Sequence, residues 1–351
     1  MAEAGEASML AGQAPGEKLL FIAGSDHHDR MIVDREKIGN VGSTDLYRLL
    51  DRRARYDRLH VTRHFFRQSR RPKLLAYRCL VNLVTDPDQN PKVLANLCKL
   101  LRGYSGPVIN RPEAVLQSAR DQVANRLDGI PGLVVPKTIR LRIDKPASPV
   151  QVVERAGLQF PLILRRAGTH TGRIVGLIED MDSLQAACGG EGDHIATEFI
   201  DFRSGDGLYR KYRSFFIGRH IVLRHMLVSD RWNVHAKDRG RVLTEWPHTL
   251  EEERQLFETP QGAFPAPVLQ CQQAIRERMP LDFFGLDYGI VPDGRLVLFE
   301  ANATMNFFPF FSDPELEHVK RCYRPAQEAF WEMVGLPIVN PMLPAASTVA
   351  A

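Results

Sequence analysis

Along the chain, short apolar runs alternate with stretches of helical spacing from residue 18 onward. Residues 18–24 (KLLFIAG) are an apolar run closed by Gly-Ser-Asp, which predicts a buried first strand of an α/β domain. Residues 74–84 (LLAYRCLVNLV) are apolar enough for a helix or a strand. Residues 91–101 (PKVLANLCKLL) carry helical spacing with proline at the start, where its missing N–H costs nothing. Residues 107–112 read as a strand ending in a turn, a helix follows from 113 to about 127, and 129–138 (GIPGLVVPKT) form a punctuated strand. Strands over 160–166 (FPLILRR) and 174–178 flank a polar turn, 167–173 (AGTHTGR), and 195–200 (IATEFI) is a further strand. Residues 208–216 (LYRKYRSFF) and 221–228 (IVLRHMLV) predict a hairpin through Gly218-Arg219-His220, and 250–257 and 266–279 predict helices. A second hairpin joins 285–291 to 295–299 through Pro292-Asp293-Gly294, where proline presets φ and glycine tolerates the positive φ of a tight turn. The fold class is mixed α/β.

Composition narrows the possibilities. A chain of 351 residues can hold two or three compact subdomains, and 44% hydrophobic with 25% charged residues is ordinary for a globular protein. No apolar run approaches the length of a membrane span, so no membrane partner is expected. Residues 1–17 are small and acidic, without the basic start and apolar core of a signal peptide, and predict a disordered tail. Five scattered cysteines without a C-x-x-C pair read as reduced thiols of a cytoplasmic protein. The net charge of +4 is too small to imply a polyanion partner by itself. Nine arginines between Arg48 and Arg71, interleaved with leucines and aromatics, predict an amphipathic helix with a solvated arginine face, then a strand, in preference to a nucleic-acid surface.

The candidate chemistry concentrates in the second hairpin. Asp287 lies inside one apolar strand, and Glu300 and Asn302 end the other; acids so deep in hydrophobic strands are costly unless paired. Singly, Asp287 would cap a turn and Glu300 would pair with an arginine. Together they offer only oxygen ligands, which suits a hard divalent cation, Mg²⁺ first and Mn²⁺ as the alternative. Residues 300 and 302 share one strand face, and a hairpin can bring Asp287 alongside. Upstream, Arg165 and Arg166 end a strand before the glycine-bounded turn, and Glu198 sits in a strand that suits recognition of an adenine edge. Lys211, Arg213, Arg224 and His225 make one face of the first hairpin cationic, the environment that phosphoryl transfer needs. The loop with His27 and His28 reads as polar lining of a cleft rather than a metal centre.

FGLDYGI followed by LFEANATMN resembles the metal-binding end of the ATP-grasp superfamily and is most similar to its D-alanine–D-alanine ligase branch. The resemblance implies an N-terminal Rossmann-like domain over 18–112, an ATP-grasp domain over 113–337 divided near 195, two subdomains clamping ATP, and a flexible tail over 338–351. It implies that Asp287, Glu300 and Asn302 hold Mg²⁺ on the ATP phosphates. Arg165 would touch the phosphates, His170 and Gly172 would close over them, and Glu198, Phe199 and Ile200 would receive the adenine. It places Asp206 at the ribose, Lys237 at a phosphate, and Lys211 and Arg213 at the transferring group. The helix AVLQSARDQVANRL lacks the phosphate-contacting lysine of many relatives, with Arg120 or Arg126 as substitutes. Phe-Phe-Pro-Phe-Phe over 307–311 replaces the small turn of the D-alanine ligases, so their specificity does not carry over. The implied activity is an ATP- and Mg²⁺-dependent carboxylate–amine or peptide ligase working through an acyl phosphate. Its partners would be a small-molecule or peptide carboxylate and an amine, with homo-oligomerisation left open. The alternatives are a small-molecule kinase of the same fold and a non-catalytic nucleotide-binding regulator.

Overall fold

A computed structural model describes residues 18–27, 31–34, 37–40, 42–50, 54–62, 64–67, 72–142, 148–169, 174–188, 192–258, 264–310 and 312–336, with only the backbone described over 31–40. The expected tails over 1–17 and 338–351, together with His28, His170 and Gly172, lie outside the described residues.

The first strand, β1 (Leu19–Ser25), forms where the leading apolar run predicted it. Leu19, Leu20, Phe21 and Ile22 are all buried, because helices or sheets cover both faces of a parallel sheet. A short antiparallel pair, β2 (Met31–Asp34) and β3 (Lys37–Asn40), follows. Next come β4 (Tyr56–Thr62), β5 (Cys79–Asn82), helix α1 (Pro91–Leu100) and β6 (Val108–Ile109). The four longer-range partners make a parallel sheet in the order β4-β1-β5-β6, a Rossmann-like arrangement. In the loop after β1, the described Asp26 serves this packing. Asp26 accepts from the backbone N–H of Lys92 at 2.9 Å and of Val93 at 2.8 Å, which caps α1.

Among its described residues the arginine-rich stretch forms no α-helix; it makes 3₁₀ turns at Leu46–Leu49 and Phe65–Arg67 and the expected strand, β4. Leu46 and Leu49 are buried, and Leu49 O accepts from Trp331 Nε1, so tertiary packing overrides the helical spacing. The helix expected over 113–127 is two pieces, α2 (Pro112–Leu116) and α3 (Arg120–Leu127). The break falls where Ser118 Oγ donates to Val115 O at 2.7 Å and Ala119 turns extended, with ψ of 150°.

After β7 (Leu133–Val134) and β8 (Thr138–Leu141) come α4 (Pro149–Ala156), β9 (Leu162–Arg166), β10 (Gly176–Ile178), α5 (Met181–Ala187) and β11 (His194–Glu198). Strands β10-β9-β11-β8 form an antiparallel sheet with α4 and α5 on one face and a core of its own around Val153, Leu162, Leu164 and Leu184.

The third sheet carries both predicted hairpins. Strands β12 (Tyr209–Ile217) and β13 (His220–Ser229) form the first, and β14 (Phe283–Ile290) and β15 (Leu296–Asn302) the second, in the order β13-β12-β14-β15-β7. Helices α6 (Arg239–Glu245), α7 (His248–Glu258), α8 (Ala266–Arg278) and α9 (Tyr323–Met333) complete the described α-helices, with a nine-residue 3₁₀ helix at Pro314–Cys322 before α9, and no described helix is long and apolar enough to cross a membrane.

Asn110 ties the first sheet to the third. It is fully buried at φ of 54°, a left-handed conformation that few residues other than glycine adopt. Its Oδ1 accepts from the N–H of Asp282 and of Phe283 at 2.9 Å each, and its Nδ2 donates to Phe283 O at 2.8 Å. The side chain therefore acts as a surrogate strand partner at the start of β14.

Candidate active site

The third sheet faces the β8–β11 sheet across a cavity of about 470 Å³. That size lies within the usual range for small-molecule sites. Following β15 along its wall gives the plan of the site. Val297, Leu298 and Phe299 come first, then Glu300, then Asn302, and beyond the strand Thr304, Met305, Phe308 and Phe310. A charged waist thus lies between two apolar ends.

Strand register builds the waist. Asp287 on β14 is paired with Arg213 on β12 on one side and with Glu300 on β15 on the other, so three ionic side chains meet on one sheet face. Arg213 donates to both oxygens of buried Asp287, Nε to Oδ1 at 2.6 Å and Nη2 to Oδ2 at 2.7 Å. Lys211, two residues before Arg213, places its Nζ 3.6 Å from Asp287 Oδ2. Burial alone would raise the pKa of Asp287; the Arg213 guanidinium and Lys211 ammonium outweigh it and hold the carboxyl below the usual range. Burial pushes the Lys211 ammonium down, against the pull of Asp287.

Two β-bulges widen the set of side chains that one face can present. Arg213 pairs with His225 while Ser214 pairs with Leu223, so Arg224 is the extra residue, and both Arg224 and His225 reach the cavity although they are neighbours. Asp287 pairs with Glu300 while Tyr288 pairs with Leu298, which makes Phe299 the extra residue on β15. Its carbonyl accepts from Arg120 Nη1 at 2.7 Å, and Arg120 Nη2 lies 2.5 Å from Glu300 Oε1. Of the two arginines that could replace the absent helix lysine, Arg120 reaches the site; Arg126 donates to Gln117 instead.

Arg165, at the end of β9, lines the cavity from the opposite sheet and makes no ion pair among the described residues. Burial, with Arg120 nearby, pushes its guanidinium down to about 10. Five cationic and three anionic described side chains line the cavity, an excess of two positive charges before its histidines are counted. His225 adds none, since burial first and then the surrounding Arg213 and Arg224 hold its pKa well below the ordinary value. The cavity therefore has the electrostatics of a polyanion site.

The end lined by Ile163, Phe199, Ile200, Phe202, Trp232 and Phe299 is apolar and flat-sided. Phe199 packs edge-on against Trp232 at 5.6 Å, and Phe202 lies 4.6 Å from Phe299. Glu198 also lines it, with Oε1 accepting from the backbone N–H of Gln159 at 2.8 Å. The N–H of Phe199 is already bonded to Pro161 O. Phe202 and Trp232 were not singled out from the sequence; an isolated tryptophan in a polar loop was the only available sign.

Two sequence candidates are not brought to the cavity. Asp206 forms a bidentate pair with Arg210 at 3.0 and 2.7 Å on a turn, where the Arg210 hydrogen bonds draw its pKa down to about 2. The exposed Lys237 follows His235 and Ala236, which do line the wall, but is itself outside it.

The donor chemistry of the waist suits a hard divalent cation, because Asp287 and Glu300 present only carboxylate oxygens. Asn302 stands beside them in a different posture. Its Nδ2 donates to Glu300 Oε1 at 2.7 Å, while its Oδ1 accepts from the N–H of Thr304 and of Met305 at 2.9 Å each. Among the described residues no group of three or more His, Cys, Asp or Glu gathers that could hold a metal ion.

No family model matches the sequence, and no curated protein matches it. Solved structures match in shape. A D-Ala:D-Ser ligase from Enterococcus faecalis superposes with a TM-score of 0.51 at 13% identity, covering 90% of this chain and 99% of that one. The D-alanine–D-alanine ligase from Bacillus anthracis, complexed with ATP, gives 0.50 at 13%, covering 91% and 97%. A carboxyaminoimidazole ribonucleotide synthase from Aspergillus clavatus, also complexed with ATP, gives 0.50 at 12%, covering 92% and 78%. The chain has the ATP-grasp fold, a mixed α/β architecture as the alternating pattern predicted. At such identities the likeness speaks for the fold alone.

Proposed function

We propose that the protein is an ATP-dependent carboxylate–amine ligase. The observation that carries this reading is the charged waist, where Asp287 and Glu300 lie side by side among Arg120, Arg165, Lys211 and Arg213, with an apolar chamber at each end. A planar apolar group bearing a polyphosphate fits one chamber and the waist together, and a second reactant fits the other.

In this reading the γ-phosphoryl group of ATP passes to a carboxylate oxygen of the substrate, releasing ADP. An amine then attacks the acyl carbon and inorganic phosphate leaves. The protein's contribution is placement and charge. Arg165 and Lys211 would neutralise the phosphate oxygens, Arg213 would face the transferring group, and Arg120 would hold Glu300 in place. One such preorganised donor is worth about 10²–10³ in rate. Asp287 and Glu300 would hold Mg²⁺ or Mn²⁺, with Asn302 orienting Glu300; when bound, the ion supplies positive charge to the phosphates. The residues 198–200 and 202 would sandwich the adenine. The substrates of the similar ligases are compatible with this class of reaction, a carboxylate joined to an amine.

The test is ADP release from MgATP in the presence of carboxylates and amines. Release that needs both supports the ligase; a stable phosphorylated hydroxyl product points to the kinase reading and overturns it.

A further inference from the structure

The end of the cavity beyond Asn302 has a chemistry of its own. Arg224 is 3% exposed, and two of its three guanidinium nitrogens are fixed, with Nε donating to Phe307 O and Nη2 to Pro309 O at 2.8 Å each. The third, Nη1, is buried and makes no hydrogen bond. The guanidinium cannot swing round to satisfy it, and it pairs with no carboxylate among the described residues. Thr304, 9% exposed, likewise has a buried hydroxyl with no partner. Both residues line the cavity. Buried donors left unmade are costly, and two on one cavity wall, one of them cationic, point to a ligand oxyanion.

Around them the wall is mostly apolar, with His225 and Asn306 as the other polar residues. Phe308 and Phe310 stand edge-on at 5.4 Å, and Met305 lines the same end. Arg224 Cζ lies 4.3 Å from the centre of the Phe310 ring, and Arg48 Cζ lies 4.3 Å from that of Phe308 on the N-terminal side. Both cations lie within cation–π range of their rings.

We propose that this end binds the carboxylate substrate, that the substrate is a carboxylic acid with an aromatic or branched apolar body, and that Arg224 and Thr304 hold a carboxylate oxygen while Phe308, Phe310 and Met305 receive the body. Its placement in a reaction rests on the ligase reading above; its recognition chemistry does not. Free acids and the C-termini of short peptides share that chemistry.

The experiment has two arms on the full chain. In the first, calorimetry compares 3-phenylpropanoate and 4-methylpentanoate with propanoate, without nucleotide. The apolar acids are expected to bind at least about tenfold tighter, and Thr304→Val, which removes the hydroxyl at nearly constant shape, to weaken them about tenfold or more. Phe310→Ala is expected to erase the preference for the larger acids. Equal binding of the three acids, or a preference untouched by both substitutions, overturns the proposal. In the second arm, hydroxylamine replaces the amine, so that hydroxamate reports the acyl phosphate from MgATP and phenylalanine, leucine, alanine, glutamate or glycyl-phenylalanine. Highest kcat/KM on the apolar free acids or on the peptide supports the assignment and separates the two sources; highest kcat/KM on alanine or glutamate overturns it. Apolar acids that bind in the first arm without hydroxamate in the second keep the acid subsite and sink the ligase reading.

Discussion

Asp287 and Glu300 are neighbours with the same charge, and each is tolerated because a different arginine comes to it. Arg213 is two strands from Glu300, and Arg120 arrives from a helix 179 positions before Phe299. Glu300→Gln keeps the side-chain volume but removes one of the two carboxylates. We expect it to abolish ADP release while leaving the circular dichroism spectrum and thermal midpoint nearly unchanged, since Glu300 is partly exposed; wild-type turnover in this variant would refute the site. Buried titrations also set an acid limit. His225 is held neutral by burial, so the unfolded chain takes its proton first and stability begins to fall as pH drops below the ordinary histidine value of 6.5. Asp287 and Glu253 are held below their ordinary values of 3.8 and 4.5, Asp287 by Arg213 and Lys211 and Glu253 by His318 and Arg239, each against the opposing effect of burial. Their contribution is present above those values and is lost on acidification through them. Thermal midpoints measured from pH 8 to pH 3 should therefore show a first decline below 6.5 and a steeper one below 4.5. A flat profile down to pH 4.5 would contradict the His225 assignment, and one flat to pH 3 the carboxylate assignment as well.

The strands present these residues correctly because their backbones are also fixed from outside the sheet. Glu253 on α7 accepts from the N–H of Met226 at 2.7 Å, just past Arg224 and His225, and is itself clamped by Arg239 and His318. Asn110 does the same for the start of β14. Asn110→Ala would take from the N–H groups of Asp282 and Phe283 the acceptor they share, the latter buried, and put an alanine at positive φ. A loss of about 2–4 kcal/mol is expected, read from urea unfolding. Asn110→Gly, which loses the same hydrogen bonds but adopts the positive φ without strain, should lose less. A variant as stable as wild type would show that β14 is held by the sheet alone.

For the molecule as a whole, the question is how the β8–β11 sheet is held over the rest. The parallel sheet and the five-stranded sheet share hydrophobic clusters, whereas the β8–β11 sheet has its own. Polar contacts bridge the gap. Arg140 on β8 reaches Asp88, Asp121 and Asp193, at 2.9, 2.9 and 3.5 Å, and Gln89 Nε2 donates to Gly168 O at 2.7 Å. Asp88 and Asp121 belong to the turn before α1 and to α3, so Arg140 joins three parts of the chain. Arg140→Gln should raise amide exchange in β8, β9, β10 and β11 by about an order of magnitude while leaving β12–β15 protected, because the core of the β8–β11 sheet is separate from the one that holds β12–β15. Unchanged exchange in that sheet would mean the clamp contributes nothing to its docking.

Much of this protein can be read from local pattern. The strands flanking each turn, the helix at 91 and the hairpin carrying Asp287, Glu300 and Asn302 follow from periodicity of two or of 3.6 and from turn residues, which act within a few positions of themselves. The arginine-rich stretch misled because leucine and arginine at helical spacing also suit a strand edge and a 3₁₀ turn once Leu46 and Leu49 are buried from elsewhere. The site was legible as a set of residue types, with Lys211, Arg213 and Arg165 among them, but not as a geometry. Which of Arg120 and Arg126 reaches the cavity, why two adjacent residues, Arg224 and His225, both line it, and why Asp206 and Lys237 do not, depend on strand order, bulges and partners far along the chain. A buried charge is stabilised by whatever is nearest in space, and nearness in space is a property of the packed sheets rather than of spacing along the chain.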